Sequence, residues 1–122
     1  MGPWVGVDLD GTLAFYDHFR GAGHIGEPIE RMRKFVQGLL DDEVEVRIFT
    51  ARVGLQSDPQ DIQIARSKIQ EWCLLHLGQV LQVTCEKDYG MVTLYDDRCI
   101  TIEKNTGRLL TTMVIPLEDD DG

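Results

Sequence analysis

The chain has 122 residues, of which 43% are hydrophobic and 27% charged, and this composition indicates one globular domain rather than a disordered or fibrous chain. Its 12 Lys and Arg residues against 21 Asp and Glu residues give a net charge of −9, which disfavours non-specific nucleic-acid binding and anionic membranes. The three cysteines form no CxxC pair, and no signal-like or membrane-spanning stretch is evident, so we expect a cytoplasmic protein with reduced thiols. We place the folded core at residues 1–117 and an acidic, disordered tail at 118–122.

The predicted elements alternate between strands and helices along the chain. Pro28 suits a first helical turn, Asp58 before Pro59 is a typical N-cap, and Gly78 is well placed to end the second helix. Apolar residues recur at helical spacing in both segments, whereas short apolar runs between them predict strands. The predicted strands cover residues 4–10, 44–50, 80–85, 91–95 and 99–103, the predicted helices cover 28–40 and 58–78, residues 11–27 form an irregular loop or small hairpin, and residues 108–117 are extended or irregular.

This alternation predicts an α/β fold, a Rossmann-like, doubly wound parallel sheet of about five strands with helices on both faces. In such sheets the ligand site lies outside the carboxyl ends of the strands. Polar side chains follow the ends of four predicted strands: Asp8 and Asp10 at the first, Thr50 at the second, Lys87 after the third, and Asp96 with Asp97 at the fourth. We therefore expect them to converge on one edge of the sheet.

Asp8-Leu9-Asp10-Gly11-Thr12 places two carboxylates one residue apart where the chain leaves the first predicted strand. One carboxylate can attack phosphorus and form an aspartyl-phosphate, and a second can protonate the leaving oxygen and later activate water. Each feature alone has a simpler interpretation, because loop acids are usually only solvated and a lone lysine is usually surface charge. The coincidence of several such features, each at a predicted strand end, favours a site.

Clustered carboxylates facing a phosphate require a cation. Asp8 and Asp97, with a backbone carbonyl, offer the hard oxygen ligands that Mg²⁺ prefers. Thr50 offers a hydroxyl, and Lys87 a positive charge, to phosphate oxygens. The aromatic and histidine residues of the 11–27 loop, namely Phe15, Tyr16, His18 and His24, are equally compatible with loop packing and with substrate contact.

With these residues in place, the chain resembles the haloacid dehalogenase-like phosphohydrolases. Residues 7–13 are similar to the first motif of that family, 48–52 to the second, Lys87 to the third, and 95–97 to the fourth, so the resemblance spans residues 4 to about 103. The first motif is highly specific, whereas the lysine is recognisable only by its place. No room exists for an inserted cap domain, so the chain looks like a small capless member, similar to bacterial and phage-type orphan forms.

The resemblance implies a magnesium-dependent phosphomonoester hydrolase and assigns roles to individual residues. Asp8 would be the nucleophile and Asp10 the general acid/base, while Lys87 would join them in the catalytic set. The substrate phosphate would be held by Thr50, Ala51, Arg52 and Lys87, and Mg²⁺ by Asp8, the Asp10 carbonyl and Asp97, with Asp96 in a supporting or water-mediated role. The chain departs from the family at Thr101 and Ile102, where many members carry another acid. Capless members often act on large substrates or close their sites by forming oligomers.

Two other classes of protein remain as alternatives. A two-component receiver domain has a similar length, a phosphorylated Asp, an acidic Mg²⁺ site, a Thr and a Lys. It differs in chain order, because its paired acids come first, whereas here the DxDGT stretch comes first and Asp96-Asp97 comes late. A non-catalytic binding protein on the same fold is the second alternative, and the intact Asp8 and Asp10 disfavour it. The sequence predicts a phosphorylated substrate without identifying it.

Overall fold

The computed structural model describes residues 2–110, which form a parallel four-stranded sheet and two α-helices. The predicted end of the core at residue 117, the extended segment from residue 111 onwards and the tail at 118–122 lie outside these residues. The elements in chain order are β1 (Trp4–Asp8), α1 (Glu30–Asp41), β2 (Val46–Phe49), a short 3-10 turn (Ala51–Val53), α2 (Pro59–Leu77), β3 (Gln82–Thr84) and β4 (Met91–Tyr95).

The strand order is β3-β2-β1-β4, and every neighbouring pair is parallel. The chain steps from β1 outward through β2 to β3 and then returns to the opposite side of β1. This reversal makes the gap between the carboxyl ends of β1 and β4 the switch point, which is where ligands bind in open α/β sheets. Asp8 ends β1, and Asp96 and Asp97 follow β4 directly, so the fold brings these acids to that gap.

The ends of α2 confirm the predicted start and stop signals. The Asp58 side chain accepts a hydrogen bond from the Gln60 backbone N–H at 2.8 Å, and Gly78 ends the helix with a φ of 81°, a conformation that favours glycine. The first helix begins at Glu30 rather than at Pro28, because Pro28 pairs with Ala14 in a β-bridge that holds the preceding loop against the core.

The main core lies between one face of the sheet and the two helices. Its fully buried members include Val7 and Ile48 from the sheet, Val36 from α1 and Ile69 from α2. The opposite face of the sheet is covered differently: Trp4 is only 1% exposed there, and the Arg47 guanidinium lies 4.4 Å from its ring centroid.

The predicted number of strands requires correction, and the predicted placement of the helices is not confirmed. The expected fifth strand at 99–103 does not form, since the Glu103 N–H donates to the Arg108 carbonyl across a turn and only Ile102 makes a β-bridge, with Leu109. The chain there folds back on itself instead of extending the sheet, so the sheet of the described chain has four strands. The two helices contact each other. Both helices contribute buried residues to the same core, and the expected arrangement with helices on both faces is not confirmed in residues 2–110.

No helix within residues 2–110 combines the length and apolar character that a membrane crossing requires.

Candidate functional site

Three carboxylates meet at the switch point of the sheet. Asp8, Asp96 and Asp97 each offer one oxygen, and these three oxygens lie within 4.8 Å of one another. Asp8 and Asp96 are partly buried, whereas Asp97 is exposed. Such a set of hard oxygen donors on adjacent strand ends could hold a divalent cation.

Burial and like charge act together on Asp8. Removal from water is the largest cause, followed by a hydrogen bond shared with Asp97 and by the negative charge of Asp96, and these raise the pKa of Asp8 from 3.8 to about 8. The hydroxyl of Thr12 acts in the opposite direction, because its hydrogen bond favours the carboxylate. A divalent cation in the cluster would, like the Thr12 hydroxyl, favour the ionised form of Asp8 and so lower its pKa.

Thr12 links the first strand to the last acid of the cluster. Its Oγ1 lies 3.1 Å from Asp8 Oδ2 and 3.0 Å from Asp97 Oδ1, and it accepts a hydrogen bond from the Asp97 backbone N–H at 3.0 Å. Because the hydroxyl has a single hydrogen, Thr12 donates to either Asp8 or Asp97 at one time. The hydrogen bond that it accepts from the Asp97 N–H holds the Asp97 backbone in place. Sequence reasoning gave Thr12 no separate role.

Gly11 provides the space that Asp97 occupies. Its φ is 90°, and a Cβ at this position would lie 2.9 Å from Asp97 Oδ2 and 3.3 Å from Asp97 Oδ1. Only glycine satisfies both the backbone conformation and this approach without displacing the carboxylate. The glycine of the DxDGT stretch thus shapes the acid cluster as well as the turn.

Asp10 faces a different partner from Asp8. The Arg52 guanidinium donates to both of its oxygens, from Nε to Oδ2 at 2.8 Å and from Nη2 to Oδ1 at 2.9 Å, and both side chains are largely buried. Arg52 also donates from Nη1 to the Ala22 carbonyl at 3.2 Å. The sequence placed Arg52 on the substrate phosphate, but its donors are directed to Asp10 and to the 11–27 loop.

The second strand delivers Thr50 to the same edge. Thr50 is buried, and its Oγ1 accepts a hydrogen bond from the Arg52 backbone N–H at 3.2 Å, which begins the 3-10 turn. This turn orients the Arg52 side chain toward Asp10. Ala51, the other predicted phosphate-binding residue of the second motif, lies between them and lines the same cavity.

A cavity of about 680 Å³ opens above these groups. Its floor contains the predicted site residues Asp8, Asp10, Thr50, Ala51, Arg52, Asp96 and Asp97. Tyr16, Asp17 and Phe19 of the 11–27 loop form one wall, and Arg98 lines another part. Arg98 was not predicted, because its position after the fourth motif carries no recognisable signal. Its backbone N–H donates to Asp96 Oδ1 at 2.9 Å.

Lys87 is the one predicted site residue that does not line this cavity. It is exposed, and the described part of the chain gives it neither a hydrogen bond nor an ion pair. The neighbouring residue explains its place. Asp88 accepts a hydrogen bond from Trp4 Nε1 at 2.8 Å. Because Trp4 is the first residue of β1, the chain at residue 88 has already returned to the amino ends of the strands, away from the cavity.

Comparisons with known proteins add no relative. No protein-family profile matches the chain, and searches of curated proteins and of solved structures returned no significant match.

Proposed function

We propose that the protein is a magnesium-dependent phosphomonoester hydrolase that works through an aspartyl-phosphate on Asp8. The observation that carries the proposal is the meeting of the Asp8, Asp96 and Asp97 carboxylates at the switch point, with Asp10 and Thr50 on the floor of the same cavity. As part of the same proposal, the chain is a small capless member of the haloacid dehalogenase-like group, with a Rossmann-like core.

In the first step, a carboxylate oxygen of Asp8 attacks phosphorus and the bond from phosphorus to the leaving oxygen breaks. Asp10 gives the leaving oxygen its proton. Because Arg52 occupies both Asp10 oxygens, one of these hydrogen bonds must lengthen when Asp10 carries or delivers a proton. Arg52 thus orients the acid toward the cavity, and a contact between Arg52 and the phosphate rests on the resemblance alone.

In the second step, Asp10 accepts a proton from water while the water oxygen attacks phosphorus. The bond between phosphorus and Asp8 breaks, which releases inorganic phosphate and restores the carboxylate. Thr50 Oγ1 lies on the cavity floor, where its hydroxyl can donate to a phosphate oxygen. Arg98 supplies a positive charge from the rim. A phosphate role for Lys87 rests on the resemblance alone.

The magnesium site would be formed by Asp8 and Asp97, with Asp96 beside them and the Asp10 carbonyl as a further ligand. When bound, Mg²⁺ would neutralise the cluster and stabilise negative charge on the phosphoryl group. Burial and the neighbouring acids raise the pKa of Asp8, and a bound cation would act against this shift by favouring the carboxylate.

The strand order disfavours the receiver alternative. Receiver domains share the flavodoxin-like order 2-1-3-4-5, in which the third strand lies beside the first. Here β3 lies at the far side of β2, and the late acids of β4 lie beside β1. The first four strands follow the order 3-2-1-4 of Rossmann-type sheets instead.

The test is release of inorganic phosphate from an aryl phosphate and from acetyl phosphate, measured with Mg²⁺ and with excess chelator. We expect turnover that depends on Mg²⁺ and is abolished in Asp8→Asn. Unchanged turnover in chelator would contradict the metal role. Absence of phosphate release from both compounds, by a folded protein with Mg²⁺, would contradict the proposed function.

A further inference from the structure

The position of Asp10 determines where the alcohol part of a phosphomonoester must lie. The leaving oxygen departs on the side of phosphorus opposite to the attacking Asp8 oxygen, and it must reach Asp10 to be protonated. The remainder of the substrate therefore extends past Asp10, toward the residues that surround it on the loop side. This step rests on the proposed function.

Two adjoining cavities lie on that side. The larger one, of about 680 Å³, contains the acid cluster, and a smaller one, of about 50 Å³, lies under the loop. Both are lined by Asp10, Tyr16, Asp17 and Arg52. The larger cavity falls within the roughly 300–1,000 Å³ of typical small-molecule sites, so it has room for more than a phosphate group.

The loop that forms this wall is held in place at several points. The Phe15 N–H donates to the Glu27 carbonyl at 2.8 Å, closing the base of the loop. Trp72 Nε1, on α2, donates to the Gly26 carbonyl at 3.0 Å, and Arg52 Nη1 donates to the Ala22 carbonyl at 3.2 Å. The wall thus has a defined position relative to Asp10, because the same Arg52 guanidinium binds both.

The charged groups of this wall already have partners. Asp17 pairs with Arg20 at 2.7 Å and with His18 at 3.1 Å, while Arg52 is bound to Asp10. The loop also places two aromatic side chains, Tyr16 and Phe19, in the lining of the larger cavity. Phe19 is 64% exposed. A ligand that covers the Phe19 ring would remove its exposed apolar area from water.

From these contacts we infer that the substrate is a small phosphomonoester whose alcohol carries a flat, uncharged ring, as in a nucleoside monophosphate, and that this ring packs against Phe19 and Tyr16. A ring face needs no hydrogen-bond partner from the loop, which matches a wall whose charged groups are already paired. An alcohol without a ring, such as glycerol, would leave the ring faces of Phe19 and Tyr16 uncovered. The net charge of −9 favours a free mononucleotide over a nucleic-acid strand.

The test compares kcat/KM for nucleoside 5′-monophosphates, glycerol phosphate and acetyl phosphate in the wild type and in Phe19→Ala. We expect the wild type to prefer the mononucleotides to glycerol phosphate. Because stacking of one base on an aromatic side chain contributes about 1–3 kcal/mol, Phe19→Ala should lose about 5- to 150-fold in kcat/KM for mononucleotides, mainly through KM. Acetyl phosphate carries no ring, and its turnover should fall by a smaller factor.

Two further variants make the result specific. Phe19→Tyr retains the ring and should retain the mononucleotide preference. Tyr89→Ala removes a fully exposed ring far from the acid cluster, beside Asp88 and Gly90, and should change no substrate. Equal kcat/KM for mononucleotides and glycerol phosphate, or equal losses on all three substrates in Phe19→Ala, would overturn the inference. In both cases turnover of acetyl phosphate would leave the proposed hydrolase activity standing.

Discussion

Arg52 binds both carboxylate oxygens of Asp10 at 2.8 and 2.9 Å, and the same guanidinium reaches the Ala22 carbonyl. The Arg52 side chain therefore connects the 3-10 turn after β2, the Asp10 carboxylate and the 11–27 loop that forms the cavity wall. The two side chains are only 11% and 21% exposed, so water cannot fully replace a lost partner.

Arg52→Gln should consequently destabilise the fold. Because hydrogen bonds to charged groups contribute about 1.5–3 kcal/mol, and Asp10 would be left partly buried without its partner, we expect a loss of about 2 kcal/mol in the free energy of unfolding. Urea denaturation measures it. The matched control is Arg20→Gln, which removes an exposed ion pair on the same loop and should cost less than about 1 kcal/mol. Equal losses in the two variants would contradict the role given to Arg52.

Gly11→Ala tests the close approach between the turn and Asp97. The variant forces a left-handed backbone on alanine and places a Cβ against the Asp97 carboxylate, so we expect about 1–3 kcal/mol of destabilisation and weaker Mg²⁺ binding. Gly38→Ala is the control, since Gly38 lies inside α1 with nothing within 4 Å of the added Cβ. That variant should gain about 0.5–1 kcal/mol from helix propensity. A Gly11→Ala protein as stable as the wild type, with unchanged metal affinity, would show that Asp97 moves freely.

Magnesium should raise the melting temperature of the wild type, since a ligand that binds only the folded state stabilises it. Asp97→Asn removes one carboxylate of the cluster and should reduce this shift, and Asp8→Asn should abolish it while raising the melting temperature of the metal-free protein. The latter effect should appear above about pH 8, where the amide replaces a partly buried carboxylate that Asp96 and Asp97 repel. Asp42→Asn, an exposed acid at the end of α1, should retain the full Mg²⁺ shift. A full shift in Asp8→Asn would mean that the ion binds elsewhere.

The face of the sheet opposite the helices provides a pH-dependent test. The hydrogen bond from Trp4 Nε1, helped by the Gly90 N–H and by the charge of Arg47, holds the pKa of Asp88 below its ordinary value. A lowered pKa in the folded state contributes stability above the unfolded value of 3.8, and this contribution is lost as the pH falls through the folded pKa. Trp4→Phe keeps an aromatic ring but removes the N–H donor.

The Asp88 pKa should therefore rise toward its ordinary value in Trp4→Phe, which carboxyl NMR titration can follow. The Trp4–Asp88 hydrogen bond should contribute to the stability difference between wild type and variant. This contribution should be present at neutral pH and disappear below the folded pKa of Asp88. An Asp88 pKa that does not change would show that Gly90 and Arg47 suffice to lower it.

The sequence predicted the strand ends well, because the apolar runs are short and end in polar residues such as Asp8 and Thr50. It failed at residues 99–103, where an apolar alternation suggested a strand but the turn around Asn105 and Gly107 pairs Glu103 with Arg108 instead. Local pattern contains no information about which partner a strand will find. For the same reason the hydrogen bonds of Thr12 and the pairing of Arg52 with Asp10 were not foreseen, since they depend on side-chain directions across separate elements.

The roles of Asp8 and Asp10 can be separated by trapping the intermediate. Asp8→Asn cannot attack phosphorus, because an amide is not a nucleophile of this kind, so it should neither turn over nor bind phosphate covalently. Asp10→Asn leaves Asp8 able to attack an aryl phosphate, whose leaving group needs little protonation. The second step then stalls, because no base activates water.

Asp10→Asn should therefore accumulate a phosphoenzyme that intact-mass measurement detects after reaction with an aryl phosphate and Mg²⁺. Because Asp10→Asn also disrupts the pair with Arg52, Arg52→Gln is the appropriate control: it disturbs the same contact but keeps the base, and so should show slower turnover without accumulation. Phosphorylation of Asp8→Asn at Asp96 or Asp97 would reassign the nucleophile and revive the receiver-like alternative. Since those two acids reach the cluster from β4 whereas Asp8 reaches it from β1, peptide mapping of the phosphorylated residue decides between the two assignments.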